Sequence, residues 1–456
     1  MFRIFSLVFF FLLITFSSSS QITNKNELEA YKSAYNAYVW GFPLVTLALS
    51  VDEFTQSPSG AKFNNFAILE SNSGEKLLNN ENIMCSKAYL DLNQSALLFT
   101  LPVSTLKYYS LTFTDAFSNT IEVFSSLKNL NKEKSILLVG PEWKGSLPKG
   151  LKKVIKSPTN LAWVEGQVSI LDKMDKTDAR KILESIKISE YDKKENFKNW
   201  KDRHVFPKLK TSGSSTEQAL LMDWKSYFTL LSLMLKENAI PENQKKYVAD
   251  FEDLGIFPGK DFEDAKVSNK KQKGIKQGFA DAIELLKLEA PRQEDYNKNG
   301  WSYNVGEGKW GTKYTKNAAS AYNGFNQTAP EEIMKYKTQI DINKDKLTGT
   351  QKYKMTIKKA SLPQTKAFWT INVLQSNKQV FENAKGKYGI GNKNKGLKYN
   401  KDGSLTLYFQ AEVPKGLETN WVPIPSENFE LIFKVFSPGE MVVSGEWAPP
   451  VVEIVK

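Results

Sequence analysis

The chain's 456 residues, 41 % of them hydrophobic and 25 % charged, exceed one ordinary core of about 100–200 residues and predict two or three substructures. The formal net charge of +12 comes mostly from lysines scattered without a basic block, which argues against a nucleic-acid partner, because such proteins gather their charge in a patch or stripe. One cysteine, Cys85, and one histidine, His204, exclude an intramolecular disulfide, a sulfur-rich zinc site and a histidine-based one.

Residues 1–20 read as an export signal. Arg3 supplies the positive end, Ile4 to Phe16 the hydrophobic run, and Ser17 to Ser20 the small residues for cleavage. The run is shorter than the about 20 apolar residues a spanning helix needs, and no later apolar segment reads as long enough to span. A secreted or periplasmic mature protein starting near Gln21 is expected, with no transmembrane segment after processing.

Residues 21–172 read as a helix followed by a β domain. Leu28, Tyr31, Ala34, Tyr35 and Tyr38 recur at helical spacing from Glu27 to Trp40, and Trp40-Gly41-Phe42-Pro43-Leu44 predicts the stop. From Ala88 to Ile170 strand signals dominate. Tyr109, Leu111 and Phe113 alternate with Ser110, Thr112 and Thr114, the pattern of a strand with one buried face. Ala96 to Leu101 and Ser135 to Val139 suit interior strands, with turns at Pro102, Gly140-Pro141 and Ser157-Pro158.

Residues 173–330 read as a helical connector and a loop. Lysine-rich amphipathic stretches run to Lys201, and Glu217 to Leu235 and Gly274 to Leu288 predict helices. Asp295 to Gly311, rich in Asn and Gly and carrying Trp301, Tyr303 and Trp310, predicts an aromatic loop. Residues 331–456 return to strand patterning: Tyr353, Met355 and Ile357; Leu405, Leu407 and Phe409; Phe429, Leu431, Phe433 and Val435. Turns fall at Asp402-Gly403 and Pro438-Gly439. The fold class is mainly β with a helical connector (α+β), made of two antiparallel β-sandwich or jelly-roll-like domains.

Lys366-Ala367-Phe368-Trp369-Thr370, Asn420-Trp421-Val422-Pro423 and Ser444-Gly445-Glu446-Trp447 occur in that order, after Tyr89-Leu90-Asp91-Leu92, Tyr108-Tyr109 and Asp115. The pattern resembles an exported two-domain family, domain-of-unknown-function family 1254 followed by family 1214. The resemblance implies the same β-rich fold and an exported location. It also marks departures. Where the family commonly reads Asn-x-Asp-Thr-Leu-Tyr, this chain has Asn80 to Cys85, with Asn82 in place of the carboxylate. Lys107 stands for an arginine, and Gly166-Gln167 for Gly-Arg. Lysine lacks the planar fork of arginine, so a remodelled or lost ligand site around Asn82, Lys107 and Gln167 is expected.

Direct tests for chemistry give no recognisable catalytic motif, so enzymatic activity stays open. A serine triad could use only His204, and no Gly-x-Ser-x-Gly elbow occurs. Asn343-Lys344-Asp345 lacks the full acidic pattern of a calcium loop and reads as a polar turn. Asn304-Val305-Gly306-Glu307-Gly308 does not follow a strand into a helix, so no nucleotide cofactor is expected. Asp91, Asp115 and Glu122 are the acids to inspect for hydrolysis, against a bland reading in which Asp91 and Asp115 cap turns and Glu122 faces solvent. Cys85 reads as a buried, unreactive thiol. Trp301 and Trp310 are candidate stacking residues for a ligand, whereas Trp421 and Trp447 read as packing. The sequons at Asn93 and Asn326 are at chance frequency. Two functions remain: a binding protein for a small molecule, glycan or protein partner, which could form a homo-oligomer, or an exported hydrolase.

Overall fold

The computed structural model describes residues 24–455, apart from 57–61, 70–82, 103–106, 128–134, 171–174, 195–197, 199, 204–212, 264–266, 292–294, 326–327, 378–380 and 382. The export segment, Asn82, His204 and Asn326 lie outside the described residues.

Helix α1 (Lys25–Gln56) is 32 residues long and runs through Gly41 and Pro43, where the sequence reading ends it. Every residue from Ala37 to Leu49 is buried. A proline inside a helix costs about 3 kcal/mol, yet full burial of a single large apolar side chain contributes roughly 1.5–3 kcal/mol. Phe42, Leu44, Val45 and Leu47 together outweigh the break. By length and composition α1 could cross a membrane, contrary to the reading that no segment beyond the signal is long enough; 83 % of its most apolar window is buried inside the fold.

The N-terminal β region comprises β1 (Ala67–Leu69), β2 (Ile83–Asp91), β3 (Ala96–Thr100), β4 (Tyr109–Asp115), β5 (Thr120–Ser125), β6 (Ser135–Val139), β7 (Val154–Lys156) and β8 (Leu161–Ser169), then α2 (Asp175–Ser185) and β9 (Lys187–Tyr191). A five-stranded sheet β1-β2-β8-β4-β5 packs on a four-stranded sheet β7-β6-β3-β9. Leu90, Leu111, Phe113 and Val164 from the first meet Leu97, Phe99, Ile136 and Leu138 from the second. β9 lies in the lysine-rich stretch read as helical. It pairs antiparallel with β3, Phe99 opposite Ile188, so sheet pairing overrides its lysine-rich pattern.

The helices that follow are α3 (Trp200–Arg203), α4 (Ser215–Leu221), α5 (Trp224–Glu237), α6 (Lys245–Ala249) and α7 (Asn269–Glu289). The single helix expected over Glu217 to Leu235 is two. Asp223 interrupts it by capping α5, its carboxylate accepting from the Lys225 and Ser226 backbone N–H groups. α7 approaches α1 backbone to backbone: a Cβ on Gly274 would lie 2.0 Å from the Glu27 carbonyl oxygen, and one on Gly278 2.2 Å from that of Tyr31.

β10 (Tyr296–Lys298) and β11 (Trp301–Tyr303) form a hairpin within the segment expected to be a loop. Asn299 and Gly300 both take positive φ, 56° and 78°, as a two-residue type I′ turn requires. After α8 (Tyr314–Tyr322) come β12 (Ile333–Thr338), β13 (Tyr353–Ile357), β14 (Thr365–Gln375), β15 (Gly389–Gly391), β16 (Leu405–Phe409), β17 (Trp421–Val422), β18 (Phe429–Pro438), α9 (Glu440–Val443) and β19 (Glu453–Ile454). Six strands in the order β10-β11-β12-β18-β14-β15 pack on four in the order β17-β16-β13-β19, with Tyr336, Ile371, Leu431 and Phe433 facing Met355, Leu405, Leu407 and Phe409. The result is an α+β fold, mainly β, with two domains. The sandwiches meet through Ile83, Cys85 and Tyr108 against Ile333, Phe368 and Phe436.

Replacing Gly278 by Ala gives a signed test of the helix crossing. Ala in a helix interior ordinarily stabilises by up to about 1 kcal/mol over Gly. Here the added methyl meets a carbonyl, and urea unfolding should show a loss of roughly 1–3 kcal/mol; a gain would refute the close approach.

Candidate functional site

Between the end of α7, the first turns of α8 and the chain leaving β11 lies a cleft with about 480 Å³ of space, continuous with solvent. Its walls carry Glu289, Asp295, Glu307, Trp310, Lys313 and Lys316. The segment that forms one wall is pinned to the β4–β5 turn. Thr120 N–H donates to the Gly308 carbonyl at 2.8 Å, and Trp310 Nε1 donates to the Ser118 carbonyl at 2.8 Å. Gly308 has φ 76°, and a Cβ there would sit 2.4 Å from Thr120 Oγ1, so the docking needs glycine.

Asp295 is paired with Lys316, and its backbone N–H donates to Asn304 Oδ1 at 2.7 Å. Glu307 and Lys313 differ from this pair. Among the described residues neither of their side chains has an ion-pair or hydrogen-bond partner. Glu289 has none either, so the cleft presents two uncommitted carboxylates, Glu289 and Glu307, and one uncommitted ammonium, Lys313, beside an indole.

The three candidate acids are not brought together, and each has a structural engagement. Asp115 Oδ1 accepts from Phe117 N–H at 2.9 Å and Asn119 N–H at 2.8 Å, closing the turn on which Trp310 docks. Burial pushes its carboxyl up to about 6, against the lowering effect of those bonds. Asp91 accepts from Arg203 Nη2 at 2.9 Å, and the same guanidinium donates through Nε to Glu237 Oε1 at 2.7 Å. Burial raises the Asp91 carboxyl above its ordinary value even with Arg203 beside it. Glu122 sits at a strand edge, 3.1 Å from Lys153 Nζ.

Trp301 is fully buried, and its Nε1 donates to the Pro450 carbonyl at 2.7 Å, so it is a core residue with no face open to a ligand. Trp310 does line the cleft, though only 8 % of it is exposed. Trp421 and Trp447 are buried, with Nε1 bonds to the Gln410 and Ser361 carbonyls. Lys107 lies before β4 and is half-buried, while Gln167 is buried in the middle of β8. Asn93, the described sequon, donates its side-chain amide to Glu237 at 3.0 Å. Asp341 Oδ1 accepts from Asn343 and Asp345 N–H groups, an Asx turn. Among the described residues no cluster of His, Cys, Asp or Glu is placed to hold a metal ion. Glu307 and Lys313 were missed by the sequence reading, because nothing in a Gly-rich segment marks which charges will lack partners.

Residues 63–190 match the family described as protein of unknown function (DUF1254), and residues 332–440 match the one described as protein of unknown function (DUF1214). This chain is a DUF1254–DUF1214 protein. A crystal structure of the VPA0106 protein from Vibrio parahaemolyticus is similar over 94 % of this chain and 100 % of that one, with a TM-score of 0.72 and 19 % identity. That likeness shows a shared fold. An uncharacterized protein from Burkholderia cenocepacia aligns over 94 % of each chain at 10 % identity and a TM-score of 0.48. No curated protein sequence matches. Within the DUF1254–DUF1214 arrangement the cleft lies in the chain between the two matched spans.

Two substitutions probe the buried charges. Arg203→Ala strands Asp91, 2 % exposed, and should cost about 3–5 kcal/mol in urea unfolding; a loss near zero would mean that the pair is solvated. Glu332 is fully buried at the start of β12, and burial pushes its carboxyl up to about 8. A raised folded-state value makes its contribution complete below the ordinary value of 4.5 and loses it as pH rises through about 8. The urea midpoint of the native protein should therefore fall relative to Glu332→Gln across that window, and parallel pH profiles would disprove the assignment.

Proposed function

We propose that this protein is an exported binding protein, secreted or periplasmic, whose cleft holds a small molecule carrying both a cationic and an anionic group. The observation that carries the reading is that uncommitted charges of both signs, Glu307 and Glu289 against Lys313, share one cleft with Trp310. A ligand with an ammonium for Glu307, a carboxylate for Lys313 and an apolar edge for Trp310 would satisfy all three. Amino acids and short peptides have this chemistry. Export rests on the Arg3, Ile4 to Phe16 and Ser17 to Ser20 pattern, and amino-terminal sequencing of protein recovered outside the cytoplasm tests it at Gln21.

The hydrolase alternative has less support, since Asp91, Asp115 and Glu122 hold separate structural bonds. Thermal melts against amino acids, dipeptides, diamines and dicarboxylates test the binding reading. A compound at about 100 times its dissociation constant stabilises by roughly 2.7 kcal/mol. Zwitterions should raise the melting temperature and the single-charge compounds should not. The double variant Glu307→Gln, Lys313→Ala should melt cooperatively and lose the shift; a panel that leaves the native melt unmoved would sink the proposal.

A further inference from the structure

We infer that the outer face of the β7-β6-β3-β9 sheet is a docking surface for an anionic lipid membrane. The other sheet of that sandwich is covered on both sides, by the N-terminal core on one and by the helices and the seam where the two sandwiches meet on the other. The β7-β6-β3-β9 sheet turns Leu97, Phe99, Ile136 and Leu138 into the same core, and alternation sends their neighbours to the opposite face. That face is apolar as well. Leu98 stands opposite Leu137, which stands beside Val154.

Among the described residues, the apolar cluster on this face draws only on the sheet and on Trp143 and Leu151 of the β6–β7 loop. A loop covers less than a layer does. Leu98, Trp143, Leu151, Val154 and Tyr191 all stay half-buried. The loop is held to the sheet by the Tyr191 hydroxyl, which donates to the Ser146 carbonyl at 3.1 Å. It then turns sharply, Leu151 N–H donating to the Pro148 carbonyl at 3.1 Å with Gly150 at φ 84°. Leu147, just before this turn, is 53 % exposed. A contiguous apolar patch with a polar rim marks a contact surface.

The rim identifies the partner. Lys156 on β7 and Lys187 on β9 stand at the two edges of this face, beside Val139 and opposite Thr100, and Lys144, Lys149 and Lys152 lie on the loop. All five are exposed, and among the described residues none of their ammoniums has an ion-pair or hydrogen-bond partner. Lys153 and Lys193 are paired, with Glu122 and Glu190. The other acids close by are Glu142 of the loop and Asp192 after β9, so the rim is net positive. The fold thus gathers at one face lysines that the whole chain scatters. Lysine is depleted at protein–protein interfaces, and contact with nucleic-acid phosphates alone would leave Leu147 in water. An anionic bilayer takes both features, since ammoniums pair with its headgroups while Leu147 and the Trp143 indole enter the interfacial region.

Co-sedimentation of the intact protein with lipid vesicles tests this independently of the cleft. The protein should pellet with vesicles of mixed phosphatidylcholine and phosphatidylglycerol, far less with phosphatidylcholine alone, and should be released by high salt. The double variant Lys149→Glu, Lys152→Glu should weaken the partition by about tenfold or more, and Leu147→Ser by roughly threefold or more. These side chains are exposed, so both variants should keep the native melt, and the cleft variant Glu307→Gln, Lys313→Ala should pellet like the native protein. Native protein that stays in the supernatant overturns the inference, as does equal uptake by phosphatidylcholine alone or undiminished uptake of the lysine variant. Self-association that Leu147→Ser abolishes, without vesicle binding, would give the face to a second copy of the chain and overturn it too.

Discussion

The carbonyls of Glu27 and Tyr31 on α1 occupy the space where residues 274 and 278 of α7 would carry side chains, and the rest of the molecule is arranged around the helix this contact holds. α1 touches both the helical layer and the N-terminal sheet: Tyr38 stacks on Tyr227 of α5, and Phe54 meets Tyr89 of β2 edge to face. Midway along it, Trp40 Nε1 donates to Gln244 Oε1 at 2.7 Å, and Gln244 Nε2 donates onward to the Gly311 carbonyl at 3.0 Å. Trp40 also packs on Phe117 in the β4–β5 turn. Helix, turn and cleft wall are therefore one connected body. A helix able to do this must be apolar on every side, which is why it tolerates Pro43 and why its composition resembles that of a membrane span.

Charge is handled at the edges of that body. Arg203 bridges Asp91 of β2 and Glu237 at the end of α5, tying sheet to helix across a long stretch of sequence. Buried ion pairs often contribute little net stability because desolvation offsets attraction. The raised carboxyl of Asp91 shows burial dominating here. The bridge serves geometry: it fixes the end of β2, whose other end enters the seam with Cys85. Lysine abundance leaves few arginines for such bidentate work, and this one is used where three elements converge.

Much of the fold was legible. Period-two alternation located β4, β13, β16 and β18, and helical spacing located α7 and the first part of α1. What failed did so for tertiary reasons. β9 is a strand because β3 offers an unpaired edge, and the hairpin at 296–303 exists because Asn299-Gly300 can turn and β12 can accept β11. The largest misreading concerned polarity. Ser110, Thr112 and Thr114 look like a solvent face by alternation, yet every residue of β4 is buried, as is every residue of β18, Glu430 and Lys434 included. Alternation reports that two faces differ; it does not report that the polar one meets water. The same limit hid Glu307 and Lys313, whose lack of partners depends on which charges the fold leaves unmatched.

The junction between the sandwiches carries two perturbed groups of opposite kind. Glu332 stays neutral up to about 8, and Lys434 loses its proton above about 7. The signs differ: the lysine's depressed value makes its contribution complete above the ordinary 10.5 and loses it as pH falls through about 7. Between the two values both groups are held neutral: burial alone acts on Glu332, while at Lys434 the neighbouring Lys335 and Lys337 act in the same direction as burial.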